Sequence, residues 1–214
     1  MINKYIDYID DPKDTYKEYL EKAKKYCFRC VFADLDNFDE AIEYLRDTEI
    51  IVAGAIDFPL GELNLKEKME KFELYAEKGF SEIDYVLNQK AIENKNYDVI
   101  EKEMRTVAKF CKEKNIVDKA IVEMCKLDGD ETAKEEICKI ANKVKPAYLK
   151  TSTGRSYYGA KVEDVKLMRR VLLDDIYIKA AGGIHSYEEA KAFIDAGANV
   201  LGASAGIEII NGEK

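Results

Sequence analysis

Short apolar segments alternate with longer charged segments along nearly the whole chain, and this alternation limits the possible folds more than any other feature. Eight of the short segments are continuously apolar or nearly so, as strands buried on both faces tend to be. They cover residues 4–9, 29–33, 50–56, 82–87, 119–124, 147–151, 176–180 and 200–203. Strands of this kind indicate a parallel sheet, which needs a crossover connection after each strand.

The segments between these strands repeat apolar residues at spacings of three and four, with charged outer faces, and so predict the crossover helices. The helices are expected over residues 16–26, 38–46, 66–78, 97–113, 131–144, 162–172 and 187–196. Eight βα units in 214 residues average roughly 27 residues each, the compact end of the range for a (β/α)8 barrel. A doubly wound open sheet usually has fewer strands and a glycine-rich turn after the first, which this sequence lacks. We therefore expect one α/β domain over residues 1–214, folded as a (β/α)8 TIM barrel.

The charge balance narrows the range of partners. The chain has 34 basic and 42 acidic residues and a formal net charge of −8, which disfavours nucleic acid and anionic membrane surfaces as partners. No stretch approaches the ~18 apolar residues of a membrane span, and the first 20 residues are polar rather than signal-like. With five cysteines, an odd number, the sequence predicts a cytoplasmic protein.

Two lysines interrupt apolar strands near their carboxyl ends, where the βα loops of a barrel build its active site. Lys150 lies in the segment Ala-Tyr-Leu-Lys-Thr-Ser-Thr-Gly, and Lys179 lies in Ile-Tyr-Ile-Lys-Ala-Ala-Gly-Gly. A buried ammonium must be paired or lose its proton, and each of two neighbouring lysines disfavours protonation of the other. The resulting neutral amine can attack a carbonyl and form a Schiff base. The alternative is that each lysine only reaches solvent at a strand end.

Asp84 lies between apolar neighbours on the predicted strand 82–87, so its carboxyl group is expected to face inward. Schiff-base chemistry on carbon also needs a group that moves protons, and an inward carboxylate suits that role. A structural role, as a hydrogen-bond acceptor or as the partner of a buried lysine, is the alternative.

The last three strands end in small residues that expose backbone N–H groups, a feature of turns that bind phosphate. These positions include Gly154, Gly182, Gly183, Gly202 and Ser204. Barrels often hold a substrate phosphate with the loops after strands seven and eight. We therefore predict an anion site here, although each glycine alone is also typical of an ordinary turn.

Two further signals point less clearly to a function. Cys27 and Cys30 have the two-residue spacing of a metal or redox pair, but no second pair follows, and packing in the core is the favoured interpretation. His185 is the only histidine, so a multi-histidine metal centre is excluded and we expect no metal. It could lie near the phosphate or make a hydrogen bond within its loop.

The sequence resembles the deoxyribose-phosphate aldolases in several motifs that occur in the same order and with similar spacing. The motifs are Lys-Thr-Ser-Thr-Gly at 150–154, Lys-Ala-Ala-Gly-Gly-Ile at 179–184, Gly-Ala-Ser at 202–204, Glu-Ile-Asp-Tyr-Val-Leu-Asn at 82–88, Phe-Pro-Leu-Gly at 58–61 and Lys-Ala-Ile-Val-Glu at 119–123. The resemblance runs from about residue 50 to residue 210. The lysine motif with its Thr-Ser-Thr-Gly tail is highly specific, whereas the glycine motifs are shared by many phosphate-binding barrels.

The resemblance implies a class I aldolase, a carbon–carbon lyase that reversibly cleaves 2-deoxy-D-ribose 5-phosphate into acetaldehyde and D-glyceraldehyde 3-phosphate. It implies a sugar-phosphate substrate, no metal or organic cofactor, and a homodimer. By position, Lys150 matches the Schiff-base lysine, Lys179 matches the lysine that tunes it, and Asp84 matches the aspartate that assists proton transfer through water. The phosphate would be held at Gly154, Gly182, Gly183, Gly202 and Ser204.

The departures from the family pattern lie mainly in the first third of the chain. A longer first-strand motif containing histidine is replaced by Ile-Asp-Tyr-Ile-Asp-Asp-Pro at residues 6–12. In the second strand, Phe32 and Asp34 stand where the family usually has a small thiol and an amide. Arg155 stands where a phenylalanine often occurs, and could add a charge near the phosphate or point to solvent. Two alternatives therefore stay open, a Schiff-base lyase acting on another phosphorylated aldehyde or ketose, and a non-catalytic barrel that binds sugar phosphates.

Overall fold

Eight parallel strands close into a barrel in the computed structural model, which describes residues 1–213. The strands are β1 (Ile6–Tyr8), β2 (Cys30–Phe32), β3 (Ile51–Ile56), β4 (Glu82–Val86), β5 (Val117–Ile121), β6 (Tyr148–Lys150), β7 (Tyr177–Ala181) and β8 (Val200–Ala203). Each strand pairs with the next in sequence, and β8 pairs back onto β1. The predicted (β/α)8 barrel is therefore confirmed.

Helices follow the strands as the apolar periodicity predicts. They are α1 (Tyr16–Tyr26), α2 (Phe38–Leu45), α3 (Leu65–Lys78), α4 (Gln89–Glu93), α5 (Tyr97–Lys114), α6 (Glu131–Val144), α7 (Val162–Val171), α8 (Tyr187–Asp195) and α9 (Gly206–Gly212). Reciprocal capping boxes fix the starts of α1, α3 and α8, where Thr15, Asn64 and Ser186 accept from the backbone of the third helical residue. The short helices α4 and α9 have too few residues to show a helical period, and the sequence did not predict them.

Two strands differ from their predicted bounds by more than one residue at an end. The segment 4–9 begins as a 3-10 turn at Ile2–Tyr5, so that β1 has only three residues. The fifth strand starts at Val117 rather than at residue 119 and ends at Ile121, because Glu123 takes a left-handed conformation (φ 67°) that begins a 3-10 helix. The buried carboxylate of Asp118 hid the true start of this strand, because it interrupts the apolar pattern between Val117 and the predicted start at residue 119.

The cysteines divide between core and surface, and all five are free thiols. Cys30 is buried on β2, as expected, but the prediction that Cys27 also packs in the core is wrong. Cys27 is the left-handed C-cap of α1 (φ 51°), and its side chain is exposed. Among residues 1–213, no helix is both long enough and apolar enough to cross a membrane.

Asp118 carries a buried carboxyl group outside the cavity at the barrel mouth. Its Oδ1 accepts the N–H of Ala147 at 2.9 Å, while Oδ2 has no hydrogen-bond partner among the described residues. Burial raises the pKa of Asp118 from 3.8 to about 6. The folded chain therefore holds this proton more tightly than the unfolded chain, and stability falls as the pH rises from about 4 to about 6.

Asp118→Asn is expected to stabilise the protein at pH 7.5, because asparagine keeps the acceptor for Ala147 and cannot ionise. We expect a gain in the free energy of unfolding of about 2 kcal/mol at pH 7.5, and less than half of that at pH 4.5. Urea unfolding at both values of pH measures the difference. An equal gain at the two values of pH would mean that ionisation of Asp118 does not contribute to the stabilisation.

Candidate active site

A cavity of about 590 Å³ opens at the carboxyl ends of the strands. Its walls come from the loops after β1, β3, β6, β7 and β8 and from inward side chains of the strands themselves. The lining residues are Ile9, Asp10, Asp11, Pro12, Phe32, Ala55, Phe58, Asp84, Lys150, Thr153, Gly154, Arg155, Gly182, Gly183, Ile184, His185, Gly202, Ala203, Ser204, Ala205 and Glu208. All of the predicted site residues except Lys179 are among them.

Lys150 and Asp84 meet at the floor of this cavity. Lys150 is the last residue of β6, and its Nζ donates to Asp84 Oδ2 on β4 at 2.7 Å. Both side chains are almost fully buried, yet both line the cavity. The amine is thus shielded from bulk water while remaining open to a small molecule in the cavity.

Lys179 lies directly behind this pair. It is the register partner of Lys150 on the neighbouring strand β7, and its Nζ donates to the same Asp84 Oδ2 at 2.8 Å. It also donates to Asp7 Oδ2 on β1 at 2.6 Å, and no part of it is exposed. The two predicted lysines and the predicted aspartate are therefore brought together, with Lys150 toward the cavity and Lys179 away from it.

Four more charged residues extend the cluster, and sequence reasoning gave none of them a role. Lys119 on β5 lies 3.1 Å from Asp84 Oδ1 and donates to Glu82 Oε2 at 2.6 Å. Arg29, the residue before β2, donates to Asp7 at 2.6 Å and to both oxygens of Glu82 at 2.8 and 2.9 Å. The available signal was a charged residue inside an apolar strand, as at Asp7 and Lys119, which is the pattern that identified Lys150.

The cluster contains four cations and three carboxylates, so it has one positive charge in excess when every group is ionised. The cations are Lys150, Lys179, Lys119 and Arg29, and the carboxylates are Asp84, Asp7 and Glu82. In a buried cluster, the excess positive charge is removed most readily by deprotonation of the group that can release its proton into the cavity.

Lys150 is that group. Burial lowers its pKa to about 8, and although Asp84 opposes this effect, Lys179 and Lys119 add to it. For Asp84, burial alone would raise the pKa, but the three ammonium groups of Lys150, Lys179 and Lys119 hold it well below its usual range. At neutral pH the site therefore offers a carboxylate beside an amine with an appreciable unprotonated fraction.

The loops after β6 and β7 touch through glycines. A Cβ on Gly182 would lie 2.6 Å from the Cα of Gly154, and a Cβ on Gly159 would lie 2.2 Å from the carbonyl of Gly182. Gly154 and Gly182 also have positive φ values, 75° and 86°. Only glycine allows this approach, which brings two of the predicted phosphate-binding loops side by side at the cavity wall.

The remaining small residues differ in what they contribute. Gly183 (φ 73°) and Ser204 line the cavity, and a Cβ on Gly183 would meet nothing. Gly202 also lines the cavity, but its missing side chain leaves room for Ala181 and for the Lys179 stem, since a Cβ there would lie 2.9 Å from the Ala181 Cβ. At the N-terminus of α8, the Ser186 side chain accepts the N–H of Glu189 and the Glu189 side chain accepts the N–H of Ser186, so these two N–H groups already have partners.

Charged groups of both signs surround the upper cavity. Arg155 and His185 line it, and both are exposed, so each is free to contact a bound molecule. Asp10, Asp11 and Glu208 line it as well. The anion site predicted from the turns therefore has one arginine at its edge, with acidic groups elsewhere on the wall.

Phe32 and Phe58 bring aromatic rings to the buried lysines. The ring centre of Phe32 is 4.8 Å from Lys179 Nζ, and that of Phe58 is 5.8 Å from Lys150 Nζ. Phe32 thus lies at the site, as expected from the family comparison of the second strand. Asp34 does not line the cavity, because its carboxylate accepts from the backbone N–H groups of Asp36 and Asn37 in the following turn.

A group of possible metal ligands lies within the barrel, formed by Asp7, Cys30 and Glu82. Both carboxylates are already bound by cationic side chains, Asp7 by Lys179 and Arg29 and Glu82 by Lys119 and Arg29. A metal ion would add charge to a cluster that already has an excess of positive charge. The donor set is therefore poorly suited to a metal ion.

Comparison with known proteins gives the same family as the motifs. No family model matches the chain. The deoxyribose-phosphate aldolase of Caldanaerobacter subterraneus subsp. tengcongensis is 42% identical over 199 residues, covering 92% of this chain and 85% of the relative. That of Lactococcus lactis subsp. cremoris is 40% identical over 216 residues, covering 99% of this chain and 96% of the relative.

Solved structures agree. A structure described as QR15, an aldolase, superposes with a TM-score of 0.85 at 28% identity, over 98% of this chain and 94% of the other. A tetrameric deoxyribose phosphate aldolase from Aeropyrum pernix has a TM-score of 0.85 at 22% identity, covering 98% of this chain and 89% of the other, and shows the shared fold. From these identities over nearly the full length of the relatives, we conclude that the chain belongs to the deoxyribose-phosphate aldolase family.

Proposed function

We propose that the chain is a class I aldolase that reversibly cleaves 2-deoxy-D-ribose 5-phosphate into acetaldehyde and D-glyceraldehyde 3-phosphate. The observation that carries the proposal is the placement of Lys150, a buried amine that opens into the cavity and has a pKa of about 8. The relatives named deoxyribose-phosphate aldolase, 42% and 40% identical, support the same activity.

The first step is attack of the neutral Lys150 amine on C1 of the open-chain sugar. The carbinolamine then loses water and becomes an iminium, which is stable in this site because Asp84 accepts a hydrogen bond at the position of Lys150 Nζ, 2.7 Å away. Lys179 and Lys119 keep Asp84 ionised, so its carboxylate balances the new cation. We assign Lys179 a role in tuning the nucleophile. Its charge acts on Asp84 and on Lys150, and its side chain does not line the cavity that would hold the substrate.

Cleavage moves the C2–C3 bonding electrons into the iminium. The C3 hydroxyl loses its proton, C3 becomes the aldehyde carbon of glyceraldehyde 3-phosphate, and C1 and C2 form an enamine on Lys150. Protonation of the enamine at C2 followed by hydrolysis releases acetaldehyde and regenerates the amine. Asp84, which borders the cavity beside Lys150, is the carboxylate we assign to these proton transfers, through a water molecule.

The phosphate of the substrate would be held by the turns after β6, β7 and β8. We assign it to the backbone at Gly154, Gly182, Gly183 and Gly202 and to Ser204, all of which line the cavity. Backbone N–H groups in turns of this kind suit a phosphate without requiring a basic protein.

A borohydride trapping experiment tests the proposal. The protein is incubated with acetaldehyde, and separately with 2-deoxyribose 5-phosphate, then reduced with borohydride and digested for peptide mass analysis. We expect an adduct on Lys150 from both compounds and none in a Lys150→Met control. Absence of any adduct from either compound would overturn the proposal in favour of a non-catalytic barrel that binds sugar phosphates.

Phe32 favours one second candidate, a Schiff-base lyase of the same fold that acts on another phosphorylated aldehyde or ketose. Its ring lies where the family usually has a small thiol, and it borders the cavity near Lys179. An adduct from acetaldehyde but not from the deoxysugar phosphate would favour this candidate. A homodimer and a cytoplasmic location stay predictions.

A further inference from the structure

Arg29 lies at the opposite end of the barrel from the cavity. It precedes the first residue of β2, whereas the cavity is built on the carboxyl ends of the strands. Its guanidinium spans two strands, donating to Asp7 on β1 and to both oxygens of Glu82 on β4. Its side chain is 15% exposed, so it separates the charged cluster from solvent at this end of the barrel.

Chains of short contacts join this arginine to the reactive amine. Arg29 binds Asp7, Asp7 binds Lys179 at 2.6 Å, Lys179 binds Asp84 at 2.8 Å, and Asp84 binds Lys150 at 2.7 Å. A second chain runs from Arg29 through Glu82 and Lys119 to Asp84. Apart from Arg29 itself, every residue of both chains is buried, and charges are weakly screened there.

Without Arg29 the cluster would hold three lysines and three carboxylates. All six groups could then be ionised with no charge in excess, and the three carboxylates would offset the repulsion that Lys179 and Lys119 exert on the Lys150 ammonium. Arg29 is a permanent cation. With Arg29 present, the cluster is electrically neutral only if one of the three lysines loses its proton. The position that removes this proton at least cost is Lys150, because it alone of the three lysines lines the cavity.

We propose that Arg29 is a positioning residue for the Schiff-base chemistry, supplying from the far end of the barrel the fourth positive charge that leaves the Lys150 amine free to react. This inference deepens the proposed function and rests on it for its biological meaning. The structural alternative is that Arg29 only neutralises Asp7 and Glu82 so that the barrel can fold.

The charged groups that the buried contacts join to Lys150 come from a limited set of strands. They are Asp84 and Glu82 on β4, Lys119 on β5, Lys179 on β7, Asp7 on β1 and Arg29 before β2. Other titratable side chains at the cluster are Cys30 on β2 and Tyr148 on β6. Neither β3 nor β8 contributes a charged residue. The charge excess therefore depends on a small number of groups, each of which can be changed singly.

The test measures how readily Lys150 is acetylated as a function of pH. Acetic anhydride reacts with the neutral amine alone, and peptide mass analysis gives the rate at Lys150, so the readout needs no aldol activity. In the unaltered protein the midpoint is expected at about pH 8. In Arg29→Met it is expected to rise by roughly 0.5 to 1 pH unit.

Two further variants separate charge from structure. Arg29→Lys keeps the positive charge but loses the bidentate geometry, and the midpoint is expected near that of the unaltered protein. Arg29→Met combined with Glu82→Gln restores the excess of one positive charge, and is expected to return the midpoint toward 8. An unchanged midpoint in Arg29→Met, or an equal rise in Arg29→Lys, would overturn the inference.

Glu82→Gln alone keeps the test decisive if Arg29→Met does not fold. It raises the excess from one charge to two, so the midpoint is expected to fall, and a midpoint that stays or rises would overturn the inference. Failure of the proposed function has a different signature. Lys150 would then show the expected acetylation profiles in every variant, yet no aldehyde adduct would form.

Discussion

Lys150→Met is expected to lower kcat for cleavage of 2-deoxyribose 5-phosphate by at least about 10⁴-fold, because the covalent electron sink is lost entirely. Methionine has nearly the shape of lysine without its amine, so the floor of the cavity stays filled. Asp84 keeps Lys179 at 2.8 Å and Lys119 at 3.1 Å, and therefore is not left as an unpaired buried carboxylate. The fold should be retained.

The measurement pairs the rate of glyceraldehyde 3-phosphate release with thermal unfolding. Lys139→Met is a matched control, since Lys139 is an exposed lysine on α6 that pairs with Glu136 in the preceding turn of the same helix. The control is expected to have normal turnover and near-normal stability. Turnover above about one-hundredth of normal in Lys150→Met would mean that the amine is not the nucleophile.

The barrel itself was predictable from the sequence because its strands are buried on both faces. A run such as residues 50–56 has no polar face, and the helix that follows shows the three-and-four spacing of one apolar side. The carboxyl ends of parallel strands must meet at one end of a closed barrel, so Lys150, Lys179 and Asp84 could be placed together without knowledge of a single contact.

The rest of the charged cluster could not be predicted, because it depends on the register between strands. Asp84 is paired in register with Lys119, and Lys150 with Lys179, but hydrophobic periodicity does not specify which residues of two buried strands lie side by side. The role of Arg29 could not be predicted for another reason. It lies at the amino end of its strand, the end at which barrels do not carry their active sites.

Lys179→Met is expected to lower kcat/KM at pH 7.5 by roughly 10²-fold, and part of this loss should be recovered by raising the pH. Removing Lys179 takes one positive charge from the cluster and leaves three cations facing three carboxylates. The pKa of Lys150, now about 8, then rises toward that of an ordinary lysine. If it reaches about 9.5, the unprotonated fraction at pH 7.5 falls from roughly a quarter to about one-hundredth.

Loss of the free amine thus explains roughly a 25-fold decrease, and the remainder follows from the loss of the donor that holds Asp84 in place at 2.8 Å. The pH profile of kcat/KM distinguishes the two lysines, because it reports ionisations of the free enzyme. At pH 9.5 the Lys179→Met protein should recover the first factor, while Lys150→Met should stay inactive at every pH. A flat profile in Lys179→Met, with the same loss at pH 7.5 and 9.5, would show that Lys179 acts on geometry alone and that its charge does not tune the nucleophile.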